Sequence, residues 1–442
     1  MKKKYQSYDL TNYRDIPQVS HLSAAEIEAI EVVGRVLPFQ TNSYVTDELI
    51  DWEHISDDPM FTLTFPRREM LENKYYVMVR KLLERGAEAE EVERCVKMIR
   101  RELNPSPSAV VGDSPILDDL SLTSFRHKYP DTLVVFPSQG QSCGVYCTFC
   151  YHWTRFCGMN VLPFVENEVG LMLRYVLLHP EVSEVLLSGG DPMMMSAKDL
   201  GAYLEPLLSP EYDQIRTIRI GTKTLGCWPY RYLSEEDSEE LLALFGRVTA
   251  AGKRLVVQAH LNHPVELSTT AAVAAVGCLR AAGVEVRTLS PLLRHINDAA
   301  GVWAALWRRE LELGCVPAYL LVVRDAAARR YFEVPLVQCW TIFRDAFREV
   351  GDEKLQVKGP CMSSGWGKVQ LLDVVTLKGK EVFVLSYVQA CRPEWVGVPF
   401  YALREEKATC WEELKPAFGQ GGPFFESAET GSPVYGDGFL FE

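Results

Sequence analysis

Between about residue 126 and residue 350 the chain repeats one texture: a short β-branched run, then a longer stretch with apolar residues at helical spacing. The runs are TLVVF (132–136), EVLLS (184–188), TIRIG (217–221), RLVVQAH (254–260), VEVRTLS (284–290) and AYLLVV (318–323). Helical patterns fill about 165–178, 196–208, 234–251, 268–282 and 299–314, and a last one, about 334–349, follows the sixth run. Six βα units in succession predict a parallel sheet, open or curled into a barrel. In such sheets chemistry sits at the C-terminal ends of the strands, so the loops after the runs are the places to search.

The flanks read differently. Residues 1–125 look helical and connective. SAAEIEAIEVVGRVL opens on a capping Ser23, and AEAEEVERCVKMIRREL is a second amphipathic helix stopped by Pro105 and Pro107. Residues 351–442 are mixed and aromatic, with a glycine-rich tail, GQGGPFFESAETGSP. The predicted organisation is an N-terminal helical extension (1–125), a (β/α)6 core (126–350) and a C-terminal extension (351–442). The formal net charge of −13 argues against coating nucleic acid or an anionic membrane. No apolar run reaches the roughly 18 residues of a membrane span, and the basic start MKKKYQSYDL has no apolar core behind it. Twelve cysteines in 442 residues are too sparse for a disulfide scaffold. A reducing, cytoplasmic setting is expected.

The loop after the first run holds QSCGVYCTFCYHW, with Cys143, Cys147 and Cys150 spaced C-x3-C-x2-C. Zinc and iron–sulfur sites usually take four protein ligands, and Cys157 follows only after a seven-residue step. Three thiolates on a four-iron cubane leave one iron open. Read from residues alone, a zinc knuckle remains the alternative. The spacing, on the first βα loop, resembles the radical S-adenosylmethionine (SAM) superfamily. That resemblance implies a [4Fe–4S] cluster whose open iron chelates SAM and whose electron cleaves the sulfonium to a 5′-deoxyadenosyl radical. LLSGGDPMMM places Gly189, Gly190 and Asp191 after the second run. By itself this is a turn; in the superfamily the corresponding segment holds the SAM amino group, and glycines admit close backbone approach.

IDWEHISDDPMFTLTFPRREML (50–71), HKYPD (127–131), HLNHPVEL (260–267), LLRHIND (292–298) and GWGK (365–368) occur in an order that resembles the lysine 2,3-aminomutase family over roughly residues 40–375. The resemblance implies pyridoxal phosphate (PLP) held as a Schiff base by Lys368, and an amino group moved between adjacent carbons. It also makes Gln258, His260 and Ser290 candidates for the SAM side and Arg155 a candidate for the substrate carboxylate. Asn297 and Asp298 are expected to cap the helix that follows.

Departures limit the analogy. Arg324 stands where lysine-specific members carry a carboxylate, with Asp325 one step later, and Cys361 stands at the second carboxylate position. A guanidinium in place of a carboxylate reverses the preferred substrate charge, so a non-lysine, acidic amino acid is expected; the alternative is an outward Arg324 with Asp325 substituting by a register shift. His152 and Trp153 replace an expected arginine, and Lys128 and Thr132 replace arginines near the PLP phosphate. Cys391 and Cys410 are isolated, and Cys157, Cys227, Cys278, Cys315 and Cys339 are expected to be buried small hydrophobes. The expected protein is a partial (β/α)6 TIM-like barrel of the radical SAM type. It would act as an amino acid 2,3-aminomutase fed by a reductant such as flavodoxin or ferredoxin, as a homo-oligomer without nucleic-acid or membrane partners. The alternative is an enzyme that lost PLP and uses the radical for epimerisation, elimination or dehydrogenation.

Overall fold

The computed structural model describes residues 3–104, 114–118, 120–159, 162 and 165–418, without the side chain of Lys128. Pro105, Pro107 and the glycine-rich tail lie outside the described residues.

One eleven-stranded sheet organises the molecule, and each strand is hydrogen-bonded to the next in sequence. The strands are β1 (Phe125–Tyr129), β2 (Thr132–Val135), β3 (Glu184–Leu187), β4 (Thr217–Thr222), β5 (Arg254–His260), β6 (Glu285–Leu292), β7 (Val316–Val322), β8 (Lys358–Ser364), β9 (Gly367–Leu377), β10 (Lys380–Ala390) and β11 (Pro399–Leu403). From β2 to β8 all pairs are parallel. β1 and the β9–β11 meander are antiparallel. Between successive parallel strands run Glu168–Leu178, Ala197–Leu204, Ser238–Ala250, Thr270–Ala281, Ala300–Glu312 and Leu336–Val350. Right-handed crossovers between neighbours that are also consecutive put every helix on one face. A sheet covered on one face curls around the other, so the concave face becomes the inside of a partial barrel.

Side-chain alternation divides the strands accordingly. Val185, Leu187, Ile218, Ile220, Leu255 and Val257 pack against Met172, Leu200, Leu244, Ala272 and Trp303 in the helix-side core. Each such residue contributes roughly 1.5–3 kcal/mol by leaving water, so Ile218→Asp would break this layer. The opposite face carries Val134, Phe136 and Leu186 in one small cluster and Leu289, Leu321 and Cys361 in another. Deeper on that face Glu184 accepts hydrogen bonds from Arg219 and from the Thr132 hydroxyl (3.0 Å).

The six runs and six helical patterns all form the predicted kind of element, with ends shifted by up to four residues. The predicted Ser23 cap is a full capping box: Ser23 Oγ accepts from the Glu26 amide (3.3 Å), and the Glu26 carboxylate accepts from the Ser23 amide (2.7 Å). The N-terminal segment is more than helical, since strands Ser7–Asp9 and Gln40–Asn42 pair antiparallel. Its core includes Ile30, Val33, Phe61 and Phe65 together with Val145, Phe149, Leu293 and Phe332 from the loops after the barrel strands. The N-terminal segment therefore covers the chemical end of the barrel. Among the described residues no helix is long and apolar enough to cross a membrane.

Candidate active site

A cleft at the C-terminal ends of β2–β6 holds about 790 Å³ of empty space, counted out to its open mouth. Cys143, Cys147 and Cys150 line it together with Gly189, Gly190, Asp191, Gln258 and His260. The cysteine loop is irregular, so its backbone groups need partners outside regular structure. The N-terminal segment supplies many of them. Gln40 Nε2 donates to the Cys143 carbonyl (2.7 Å), and the Tyr146 amide donates back to the Gln40 carbonyl (2.9 Å). The Thr148 amide and hydroxyl donate to the carbonyls of Leu63 (3.0 Å) and Thr62 (2.8 Å).

Burial pushes all three thiols up, Cys147 to about 11 and Cys143 well above the ordinary value; neighbouring thiols add to the effect at Cys143 and Cys150, and the Lys223 ammonium opposes it at Cys147. The backbone N–H of His152 works the other way at Cys150. Half-buried cysteines whose sulfurs are kept from water around one cleft are costly as free thiolates and suit a group that bonds them covalently. A three-cysteine cluster fits this donor set.

The glycine loop is zipped to the cysteine loop: the Gly190 amide donates to Gly140 O (3.1 Å), and the Asp191 amide donates to Ser142 O (2.8 Å). Gly189 has φ 141°, and a Cβ on Gly190 would lie 2.3 Å from the Gln141 carbonyl oxygen. Only a bare backbone passes there. Asp191 accepts from the amides of Met193 (3.0 Å) and Lys223 (2.8 Å), so it braces the β3 and β4 loops. Burial raises it to about 6, against those hydrogen bonds, which lower it. Burial, then the Lys223 ammonium, hold His260 well below the ordinary range, and its ring meets Phe149 edge-on at 5.5 Å.

Ser290 is buried but not on the cleft wall; its hydroxyl accepts from Asn262 Nδ2 (2.7 Å). Asn297 corrects the capping expectation. Its amide group bonds the Leu293 amide (2.6 Å) and the carbonyls of Asn262 (3.0 Å) and Pro291 (3.1 Å), while Ala299 holds the cap position of helix Ala300–Glu312 without a side-chain bond. The asparagine is consumed in tying two loops together.

Lys368 lies on β9, 2% exposed, its ammonium 4.1 Å from the centre of the Tyr319 ring. Gly367 beside it has φ 156°, and a Cβ there would lie 2.1 Å from the Gln389 carbonyl oxygen. A buried lysine beside a glycine that only a bare backbone can occupy fits a Schiff-base position. Arg155 lies over Phe136 at 4.9 Å, with Nη1 and Nη2 buried and without hydrogen-bond partners among the described residues. Burial, then Arg126, lower it to about 10. Such a cation fits a carboxylate or phosphate. His152, on the cleft wall, is held well below its ordinary value by burial and then Arg155. Thr132 bonds Asp131 (3.1 Å) as well as Glu184, and brings no cation.

Arg324 follows β7, with a side chain 13% exposed. It donates to the Ser363 carbonyl and pairs with Glu412 at 2.8 Å and Asp325 at 3.8 Å. Its anionic partners are within the chain, and it is not among the cleft-lining residues. Asp325 adopts φ 51° with its carboxylate 45% exposed. Cys361 is fully buried. Cys315 and Cys339 are buried as expected, whereas Cys157 and Cys278 are only half-buried; Cys157 points to the Val36 carbonyl, off the cleft. Cys227, expected to be a buried hydrophobe, is buried but lines the cleft, as do Thr222 and Lys223. Their place at the end of β4 and just after it was the available signal.

No family model matches the chain. It is 28% identical over 380 residues to the protein named "Putative L-lysine 2,3-aminomutase" of Aquifex aeolicus, covering 86% of this chain and 88% of that one. It is 27% identical over 251 residues to the L-lysine 2,3-aminomutase of Fusobacterium nucleatum, 55% of each. A solved radical SAM methyltransferase from Sphaerobacter thermophilus superposes with a TM-score of 0.38 at 14% identity, over 67% of this chain and 94% of that one, a likeness too weak to argue from. Over most of both chains, then, this protein is similar to a protein named as a lysine 2,3-aminomutase, and over about half its length to others of that name.

Proposed function

We propose that the chain is a radical SAM enzyme that shifts an amino group in an amino acid other than lysine. One observation carries this: the three cysteines and the glycine loop line one cleft, and the glycine loop is hydrogen-bonded to Gly140 and Ser142 at the start of the cysteine loop. Cys143, Cys147 and Cys150 would hold a [4Fe–4S] cluster. Gly189, Gly190, Asp191, Gln258 and His260 would hold SAM, with Ser290 bracing the wall through Asn262. Bound there, the cluster and SAM supply a 5′-deoxyadenosyl radical. The chain's own work is containment: the N-terminal segment closes over the loop and keeps water from a reactive radical. Asp191 fixes the separation of two loops that both face the ligand.

Lys368 would hold PLP, and Arg155 would meet a substrate carboxylate. The lack of carboxylates at positions 324 and 361 supports a non-lysine substrate. A substrate anion at Arg324 must displace Glu412, so Arg155 is the stronger candidate for an acidic group. An external one-electron reductant of the flavodoxin or ferredoxin kind, in a reducing compartment such as the cytoplasm, belongs to this proposal. The PLP-free alternative draws on Thr132, whose hydroxyl is committed to two carboxylates where a phosphate-binding arginine would stand.

Anaerobic reconstitution with iron, sulfide and PLP tests both. The proposal expects four irons per chain, a PLP absorption band that depends on Lys368, and 5′-deoxyadenosine on reduction with SAM. Deoxyadenosine without a PLP band selects the alternative, and neither product nor cluster overturns both.

A further inference from the structure

Four thiols, rather than three, open on the cleft. Cys227 ends the short helix Thr224–Cys227 after β4, 2% exposed, and lines the same cleft as Cys143 and Cys147. One side chain gauges its position: Asn42 Nδ2 donates both to the Cys227 carbonyl (3.0 Å) and to the Gly144 carbonyl (3.3 Å), the residue after Cys143. The turn has no slack. A Cβ on Gly226 would lie 2.5 Å from Glu266 Oε1 and 2.9 Å from Leu261. Burial holds the Cys227 thiol well above its ordinary value; the Lys223 ammonium opposes that, while Asp191 and Cys147 add to it, and Cys143 is raised in turn by Cys227. Lys223, four residues earlier, lines the cleft with its ammonium 2.6 Å from Glu266. The Lys223 charge, although paired with Glu266, favours a thiolate at Cys227 against the cost of burial. Cys157, by contrast, faces the Val36 carbonyl.

We propose that Cys227 is an exchangeable fourth ligand of the cluster: without SAM its thiolate closes the iron that the other three cysteines leave open, and SAM displaces it. This rests on the cluster assignment made above. An open iron in a cleft with a solvent mouth is the atom most easily lost to oxidation, and a thiolate on it blocks that loss until the substrate arrives. The exchange balances. One Fe–S bond breaks, and bonds from the SAM nitrogen and carboxylate oxygen form. The SAM ammonium gives up a proton to coordinate, and the departing thiolate takes one up. No electrons move.

The test uses the full chain, reconstituted anaerobically, as wild type, Cys227→Ala and the near-isosteric Cys227→Ser. Iron content, the electron paramagnetic resonance spectrum of the reduced cluster with and without SAM, and SAM affinity are measured. The SAM-free spectra of both variants should differ from wild type, while the SAM-bound spectra coincide. Under mild ferricyanide without SAM, the variants should lose the fourth iron several-fold faster, and they should bind SAM several-fold more tightly because no internal ligand competes. Identical SAM-free spectra and equal iron loss in wild type and variants overturn the role of Cys227 and leave the cluster assignment standing. A wild-type chain that takes up no four-iron cluster overturns both. Variants that take up no cluster make Cys227 an obligatory ligand, which also overturns exchange.

Discussion

The cysteine loop and the surroundings of Lys368 lie in the same partial barrel but are built on opposite plans. Around the cysteines the contacts are mostly backbone: Gly140, Ser142, Gly190 and Asp191 zip two loops, and Gln40, Thr62 and Leu63 hold the outer rim. Around Lys368 side chains do more of the work: its ammonium meets the Tyr319 ring, which packs on the Leu289–Leu321–Cys361 cluster, and its sheet partner Ser363 is held by Arg324, whose charge Glu412 meets. A cluster dictates ligand spacing to the chain, so its site is written locally. A substrate pocket is assembled from distant side chains and changes freely while the barrel stays. The difference predicts where substitutions abolish function and where they redirect it.

The largest effect belongs to the loop. Cys143→Ala, Cys147→Ala or Cys150→Ala should remove the cluster and all SAM cleavage, whereas Cys157→Ala, off the cleft, should keep both. Iron analysis and deoxyadenosine yield decide it; equal iron loss in Cys157→Ala would erase the distinction between the half-buried thiols. Next is Lys368→Ala. It should remove the PLP band and amino migration while reductive SAM cleavage persists, because Lys368 does not line the cysteine cleft. Joint loss of both would show that the two halves form one cooperative site.

Gly190→Ala tests the zipper. Its Cβ would lie 2.3 Å from the Gln141 oxygen and 2.6 Å from the Ser142 oxygen, so backbone must move. Overpacking costs about 1–3 kcal/mol, which corresponds to roughly 5–150-fold weaker SAM binding by titration calorimetry. An unchanged affinity would mean that the spacing of the loops is not read by the ligand.

The same contrast explains what could be read from the sequence. Strand periodicity and loop position found the barrel, because six βα units admit few topologies and place chemistry at one end. The C-x3-C-x2-C and Gly-Gly-Asp segments were legible because their geometry is local. Cys227 was not, since its place on the cleft depends on packing between Gly226, Glu266 and Leu261. Nor was the partner of Arg324: Glu412 lies 88 residues away, a distance no short pattern spans. Asn297 misled for a similar reason, because its position before a helix looks like a cap while its amide binds two loops. The continuation of the sheet through β8–β11 lay in a segment read only as mixed and aromatic.

pH sharpens the comparison from the cluster side. Burial raises Asp191 to about 6 in the folded chain. As pH falls through that value the carboxylate protonates and its bonds to the Met193 and Lys223 amides weaken. SAM affinity should therefore drop by a few-fold between pH 7 and 5.5. Folding stability should move the other way. A buried acid with a raised value favours the protonated form, so this group's contribution to stability rises as pH falls from about 6 toward 4. Opposite signs in calorimetric SAM binding and in urea unfolding are the expected signature; parallel trends would assign the pH dependence to another group.

The smallest effect on chemistry should come from Arg324. The guanidinium links the end of β7 to the Ser363 carbonyl and the Glu412 carboxylate. Arg324→Ala leaves a half-exposed carboxylate and a carbonyl without their donor, a loss of about 1–3 kcal/mol in stability. Because the anion it meets is internal, the rank order of an amino-acid panel should stay as it is in the wild type. Arg155→Ala should instead weaken acidic members of the panel most, since the unpartnered Nη atoms belong to that residue. Should Arg324→Ala reverse the order while Arg155→Ala leaves it unchanged, Glu412 is only a placeholder for a substrate carboxylate. The charge change at position 324 would then be what sets this chain apart from its lysine-acting relatives.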